Sequence, residues 1–158
     1  QLVDEGYAVV TIDLSGQGET AAGKRDSLLT DWKTYYLSYL LGQPLVGIRV
    51  EDALAAADFV AYYQKKRDAP RKVHLVGVGQ AGIVALHAAA LQPDLFASVT
   101  LRDTPRSWAA IVRQQVPTGQ LDSTVHGALQ VYDLPDLVGL AGKDKVRFED
   151  SPAAESVR

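Results

Sequence analysis

The stretch from residue 72 to residue 91 constrains the fold of this chain more than any other. A short apolar run, Val73 to Val76, ends in a turn rich in glycine, and an Ala/Leu-rich helical pattern follows at once. A strand, a tight turn and a helix in direct succession are the local structure in which α/β proteins place ligands and catalytic groups. The turn has two interpretations, and each of them predicts a different function.

In the first interpretation, Gly77, Gly79 and Gly82 form the G-x-G-x-x-G fingerprint of dinucleotide-binding domains. Glycines at this spacing permit a tight turn, a close approach of the pyrophosphate and close packing of the helix on the strand. Asp103, at the end of the next predicted strand, would then bind the ribose of NAD or NADP. The position of the motif disfavours this interpretation, because a strand and two helices are predicted before it and the fingerprint belongs to the first strand–helix turn of its domain.

Strands and helices alternate along the chain. We predict strands at residues 7–14, 73–76, 96–101 and 145–148, helices at 31–41, 50–63, 81–91, 126–132 and 133–142, and a helical turn at 107–112. This order predicts an α/β fold, a three-layer αβα sandwich around a mostly parallel sheet, as one domain over residues 1–158. Four strands make a small sheet, and the chain starts without an initiator or leader and contains no methionine. We therefore expect a fragment or module of a longer protein, with sheet edges covered by self-association or by a further domain.

Composition excludes several classes of function. The 158 residues carry a formal net charge of −3 and no long run of like charge, so we expect no nucleic-acid partner. The absence of cysteine excludes a thiol nucleophile, and the three histidines lack metal-ligand spacing, so we expect no metal. The most apolar window, residues 75–91, contains Gln80, His87 and several glycines, and it is typical of a buried strand and helix, not of a membrane span. None of these features fixes the cellular compartment.

Four segments, in order along the chain, resemble one known family. They are residues 6–20, with a glycine turn after a strand; 45–59, with the pattern Gly-x-Arg-x-x-Asp; 75–91, the central turn and its helix; and 132–138. Together they resemble the α/β-hydrolases, in particular the members of the acetyl xylan esterase-like type. The resemblance implies that the central turn is a nucleophile elbow with the pattern G-x-S-x-G, and Gly79 then stands at the position of the nucleophilic serine.

The resemblance also implies that parts of the catalytic site are missing. Gly79 has no side chain to attack an acyl carbon, although glycine adopts the strained elbow conformation without steric cost. The amide of Gln80 would supply one oxyanion donor, and Asp150 or Glu149, at the end of the last predicted strand, would be the triad acid. The triad histidine belongs later still, and no histidine follows His126 in this sequence.

We therefore expect a degenerate hydrolase domain without a conventional Ser-His-Asp triad, non-catalytic as an isolated chain and without a cofactor. Such a module would bind a carbohydrate or a small ester at the edge of the former active site. Two alternatives remain open: an active ester hydrolase with an unconventional or shared site, and a dinucleotide-binding domain.

The histidines offer one further catalytic candidate. His126 would share a helix face with Asp122 and Ser123, a cluster that could support acid–base or nucleophilic chemistry. Clusters of this kind also arise by chance on helix surfaces, and no pocket is implied here. His87, among alanines on the helix after the turn, and His74, within a strand, are expected to be structural.

A few polar and aromatic residues have both a functional and a structural interpretation. Asp13 ends the first predicted strand, where such folds bind ligands, but its expected role is to cap the following turn. Ser15 lies in that turn, with no base near it in the sequence. Four aromatic residues at helical spacing could stack on a sugar, but we expect them in the core. They are Trp32, Tyr35, Tyr36 and Tyr39.

Overall fold

The computed structural model describes residues 3–21, 32–63, 70–114 and 120–151. Its helices are α1 (Trp32–Leu40), α2 (Leu45–Tyr62), α3 (Ala81–Leu91), α4 (Trp108–Val112) and α5 (Leu134–Ala141), and its strands are β1 (Val73–Val78), β2 (Phe96–Arg102) and β3 (Val146–Glu149). Short 3₁₀ turns lie at Gly18–Thr20, Pro93–Leu95, Leu121–Ser123 and Ala128–Gln130. None of these described helices is long and apolar enough to cross a membrane.

The three strands form one parallel sheet in the order β1–β2–β3. Gly77 of β1 pairs with Leu101 of β2, which in turn pairs with Phe148 of β3. Helix α3 connects β1 to β2. A parallel sheet flanked by helices confirms the predicted α/β class, and it places the carboxyl ends of all three strands at one edge, where such folds bind ligands.

The helices that contact the sheet cover one of its faces. Helix α3 packs against β1, β2, α2 and α5. Val99 and Leu101 of β2 are buried on this face, as is Leu86 of α3, and Leu86 and Leu101 are completely buried. On the opposite face, the side chains of Val76 and Val78 are exposed.

Residues 7–14 do not form the predicted fourth strand. The segment runs without a helix, turn or bend, and no backbone hydrogen bond joins it to the described strands. Only Leu14 at its end is buried in the core. The prediction was wrong because an apolar run supplies only one half of a strand pair, and the pairing partner has to come from elsewhere.

Local capping signals predicted helix ends better than apolar patterns did. The side chain of Asp133 caps the first turn of α5, and Asp136 accepts a hydrogen bond from the Asp133 N–H at 2.8 Å. Gly142, with φ +98, ends the helix as predicted. Helix α2 begins at Leu45, earlier than predicted, directly after Pro44.

The helix predicted at residues 126–132 is absent. A 3₁₀ turn at Ala128–Gln130 takes its place, and Gly127 before it has φ +72, in the left-handed region that favours glycine. The apolar residues that suggested a helix here do not share one helical face, since Ala128 is buried and Leu129 is exposed.

Candidate functional site

The turn between β1 and α3 consists of Gly79 and Gln80. The Gly79 N–H donates to the Arg102 carbonyl at 2.8 Å, which fixes the turn to the end of β2. Gly79 has φ +59, a left-handed conformation that costs glycine little and most other residues more. The elbow therefore lies at the carboxyl edge of the sheet, in the backbone conformation that the family resemblance implies.

The two glycines that flank this position are explained by packing. A Cβ on Gly77 would lie 2.6 Å from the Cα of Gly82, and a Cβ on Gly82 would lie 1.9 Å from Oγ1 of Thr104. Close packing of α3 on the sheet therefore explains both glycines, and no bound dinucleotide is needed to account for them. A Cβ on Gly79, in contrast, would meet no described atom within 4 Å beyond its chain neighbours. Among the described residues, packing therefore does not require glycine at position 79, in contrast to positions 77 and 82.

Asp103 follows β2 at the same edge and is hydrogen-bonded to the last residue of β3 and to Ser151. Its N–H donates to the Glu149 carbonyl at 3.0 Å. Its carboxylate accepts hydrogen bonds from the Ser151 N–H at 2.7 Å and from the Ser151 hydroxyl at 2.6 Å. These bonds lower the pKa of Asp103. Both oxygens of the carboxylate proposed for ribose binding are thus engaged within the chain, and φ of this residue is +49.

The two acids at the end of β3 form surface ion pairs. Oδ2 of Asp150 lies 2.7 Å from Nη2 of Arg106, and Oε2 of Glu149 lies 2.8 Å from Nε of Arg102. All four side chains are at least one-third exposed, so each pair contributes at most about 1 kcal/mol. Asp150 does stand directly after β3, where the resemblance implies the triad acid, but none of the three histidines, all of which are described, contacts it.

Of the predicted cluster around His126, the structure describes the side chains of His126 and Ser123. His126 lies exposed in a turn, with its ring 5.4 Å from that of Tyr39. Ser123 is buried, and its hydroxyl donates to the Gln120 carbonyl at 3.2 Å. The side chain of Asp122 lies outside the described residues. Two separate 3₁₀ turns, at Leu121–Ser123 and Ala128–Gln130, stand on either side of His126, so these residues do not share one helix face.

His87 is a half-buried residue of α3, and its ring takes part in a hydrogen-bonded pair. Because a carbonyl only accepts, Nδ1 of His87 must donate to the Ile83 carbonyl at 2.7 Å, and Nε2 then accepts from the Tyr132 hydroxyl at 3.0 Å. Burial lowers the pKa of His87, against the opposing effect of the Ile83 bond, and burial raises the pKa of Tyr132. The ring of Trp108 packs on both, 5.6 Å and 5.7 Å away. The prediction of a packed core histidine is confirmed; its partner, 45 positions away, left no local signal in the sequence.

The turn after residue 14 is held by polar contacts. Oδ2 of Asp13 accepts from the Glu19 N–H at 3.0 Å, which confirms the predicted capping role. The Ser15 N–H donates to Oδ2 of Asp52 at 2.8 Å, and the Ser15 carbonyl accepts from Nε of Arg49 at 3.1 Å. This turn is therefore attached to α2 through the backbone of Ser15.

The aromatic residues of α1 are not in the core. Tyr36 and Tyr39 are 50% and 46% exposed, and Trp32 and Tyr35 are half-buried. Their rings pack mainly on each other, with 6.3 Å between the centroids of Trp32 and Tyr36. The core prediction was wrong for this helix, because helical spacing aligns the rings but does not supply a surface to cover them.

In the described part of the chain, no three His, Cys, Asp or Glu residues are grouped to hold a metal ion.

Comparison with protein-family models agrees with the elbow geometry. The model of the alpha/beta hydrolase fold family matches residues 1–127, which include β1, the elbow, α3 and β2. No curated protein and no solved structure shows significant similarity to this sequence. The chain belongs to the α/β-hydrolase fold family.

Proposed function

We propose that this chain is a degenerate α/β-hydrolase domain, of the acetyl xylan esterase-like type that its sequence resembles, and that its elbow does not catalyse ester hydrolysis. The observation that supports this proposal is Gly79. It occupies the tip of the elbow with φ +59, and open space lies where a nucleophilic side chain would stand.

Acyl transfer by this fold begins with attack of a side-chain oxygen on the acyl carbon. Glycine cannot supply that oxygen, whatever other groups complete the site. The hydroxyl-bearing neighbours serve other contacts: the Thr104 hydroxyl donates to the Arg102 carbonyl at 3.1 Å, and the Ser151 hydroxyl donates to Asp103. The proposal therefore depends on a residue within the chain and not on segments beyond its ends.

A turn that keeps its shape after losing its nucleophile can still bind. The open space above Gly79 at the carboxyl edge would admit a small ester or a sugar hydroxyl without a clash from a side chain. We therefore propose ligand binding at this edge, with a carbohydrate or a small ester as the ligand class.

The test is hydrolysis of p-nitrophenyl acetate by the purified chain, compared with a Gly79→Ala variant and with the urea-unfolded chain. We expect both folded proteins to release p-nitrophenol no faster than the unfolded control. Saturable turnover by the folded chain that Gly79→Ala abolishes would place catalysis at the elbow. Saturable turnover unaffected by Gly79→Ala would reveal another reaction site. Either form of turnover would refute the proposal.

A further inference from the structure

A cavity of about 710 Å³ lies at the edge of the sheet opposite to the elbow. Its lining includes Arg71 and Lys72, which precede β1. It also includes the turn of Pro93–Leu95 before β2, and Lys145 directly before β3. The lining residues therefore gather at the amino ends of all three strands, away from the carboxyl edge at which the elbow lies. The volume is in the range of pockets that hold small organic molecules.

Three cationic side chains of this lining lack a counter-charge within the chain. They are Arg71, Lys72 and Lys145, and none of them forms an ion pair with any residue that the structure describes. Lys145 is half-buried. A partly buried ammonium group without an opposite charge is unfavourable, because it loses hydration and gains no ionic partner. An anion bound in the cavity would supply that partner.

Backbone carbonyls hold two of these cations in place. Nη1 of Arg71 donates to the Val60 carbonyl at 3.3 Å and to the Tyr63 carbonyl, at the end of α2. Nζ of Lys145 donates to the Pro93 carbonyl at 2.9 Å. The carboxyl end of a helix carries only about half a negative charge, so such bonds position a cation without neutralising it. The remaining N–H groups of Arg71 and Lys145 make no hydrogen bond within the described chain.

The rest of the wall is suited to the organic part of a ligand. Tyr62 and Leu91 contribute apolar surface, and Leu91 is 67% exposed. The lining also contains two exposed acids, Asp58 and Asp94. A carboxylate accepts hydrogen bonds from hydroxyl groups and repels another anion. A fitting ligand therefore combines an anionic group, placed at the cations, with hydroxyl groups that face the acids.

We propose that this cavity binds a small phosphate monoester that carries hydroxyl groups, of the sugar phosphate class. Its phosphate lies at Arg71, Lys72 and Lys145, and its hydroxyl groups donate to Asp94. Phosphate fits better than a carboxylate, because a charge of about −1.5 to −2 and three acceptor oxygens match several cations at once. The cavity and the elbow lie at opposite edges of the sheet, so this proposal stands independently of the proposed function.

Isothermal titration calorimetry with glucose 6-phosphate as the probe tests this proposal. The chain is compared with Lys72→Gln and Lys145→Gln, and with Lys143→Gln as the matched control. Lys143 is exposed and lies two positions from Lys145, but it does not line the cavity, so its replacement changes the net charge alone. We expect the chain to bind glucose 6-phosphate but not glucose. Lys72→Gln and Lys145→Gln should each weaken binding about tenfold, as expected when one charged hydrogen bond is lost, and Lys143→Gln should leave it unchanged.

Three results would overturn the proposal. The first is the absence of binding at millimolar glucose 6-phosphate. The second is binding that Lys143→Gln weakens as much as Lys72→Gln and Lys145→Gln do, or that all three leave unchanged, since the phosphate would then not lie at this cavity. The third is equal affinity for inorganic phosphate and glucose 6-phosphate, which would mean that the site does not recognise the organic part. Lys72 makes no contact within the described chain, so Lys72→Gln should fold normally and keep the test decisive.

Discussion

Two apolar segments of this molecule look alike in sequence and differ in structure. The segment of β1 is paired with β2 and packed under α3. Residues 7–13, called the arm below, are equally rich in β-branched residues, but they are exposed and pair with no described strand. The difference lies in their neighbours. A helix follows β1 at once and folds back on it, and β2 follows that helix. The arm is followed by a turn and two helices, and only its last neighbour, Leu14, reaches the core.

This comparison shows that an apolar run predicts a preference for burial, while the surrounding chain decides whether burial occurs. Around the elbow, local pattern and packing agree, and the predicted strand, turn and helix all form. At the arm they disagree, and the apolar pattern alone does not produce a paired strand.

The largest expected difference between α3 and the arm is in their contributions to the free energy of unfolding. Leu86→Ala in α3 removes a completely buried side chain and should lower the free energy of unfolding by about 2–5 kcal/mol. Ile12→Ala in the arm should lower it by less than about 0.5 kcal/mol, because this side chain is 44% exposed. Urea denaturation of both variants measures this; equal losses would mean that the arm is as well packed as α3.

The packing under the elbow is tested by adding a single methyl group. Gly82→Ala forces a Cβ against Thr104 and should destabilise the fold by about 1–3 kcal/mol. Gly139→Ala in α5 is the matched control, since a Cβ there meets no described atom within 4 Å and should stabilise the helix by up to about 1 kcal/mol. If Gly82→Ala left the free energy of unfolding unchanged, packing would not explain this glycine, and the dinucleotide interpretation would regain support.

His87 in α3 should make the free energy of unfolding depend on pH. The pKa of His87 in the folded chain lies below its ordinary value of 6.5, so the unfolded chain binds this proton more readily. The contribution of neutral His87 is therefore fully present above pH 6.5 and is lost as the pH falls toward the folded-state value. Urea titrations between pH 5 and pH 8 should show this loss, since ~1.4 kcal/mol accompanies each unit by which a pKa differs between the two states.

Substitution identifies the group responsible for this pH dependence. His87→Gln should remove it, while His126→Gln, at an exposed turn, serves as the control for loss of a histidine. An unchanged pH profile in His87→Gln would contradict the assignment.

The smallest expected effect is the change in melting temperature when a dinucleotide is added. Packing explains Gly77 and Gly82, and Asp103 is engaged with Ser151, so we expect no shift of the melting temperature on adding NAD or NADP. A shift that is lost in Gly79→Val would favour the dinucleotide interpretation and contradict the proposed function.

Local signals in the sequence were sufficient for part of the fold. The strand–turn–helix of residues 73–91 and the capped helix after Asp133 could be predicted, because their neighbours in the chain are also their neighbours in space. The position of Gly79 at the elbow followed from the family resemblance. The contact of His87 with Tyr132 could not be predicted, since it joins residues 45 positions apart. Exposure of the arm and of the α1 aromatics could not be predicted either, since a periodic pattern does not reveal whether another element covers the apolar face.

The central claim is that the elbow carries no nucleophile, and acyl transfer to the protein tests it most directly. The folded chain is incubated with p-nitrophenyl acetate and its mass is compared with that of the urea-unfolded chain treated in parallel. This measurement detects a nucleophile even where the acyl group is not released afterwards. We expect no adduct that forms faster in the folded chain than in the unfolded one. One acetyl group that forms faster in the folded chain, at a residue beside the elbow, would contradict it.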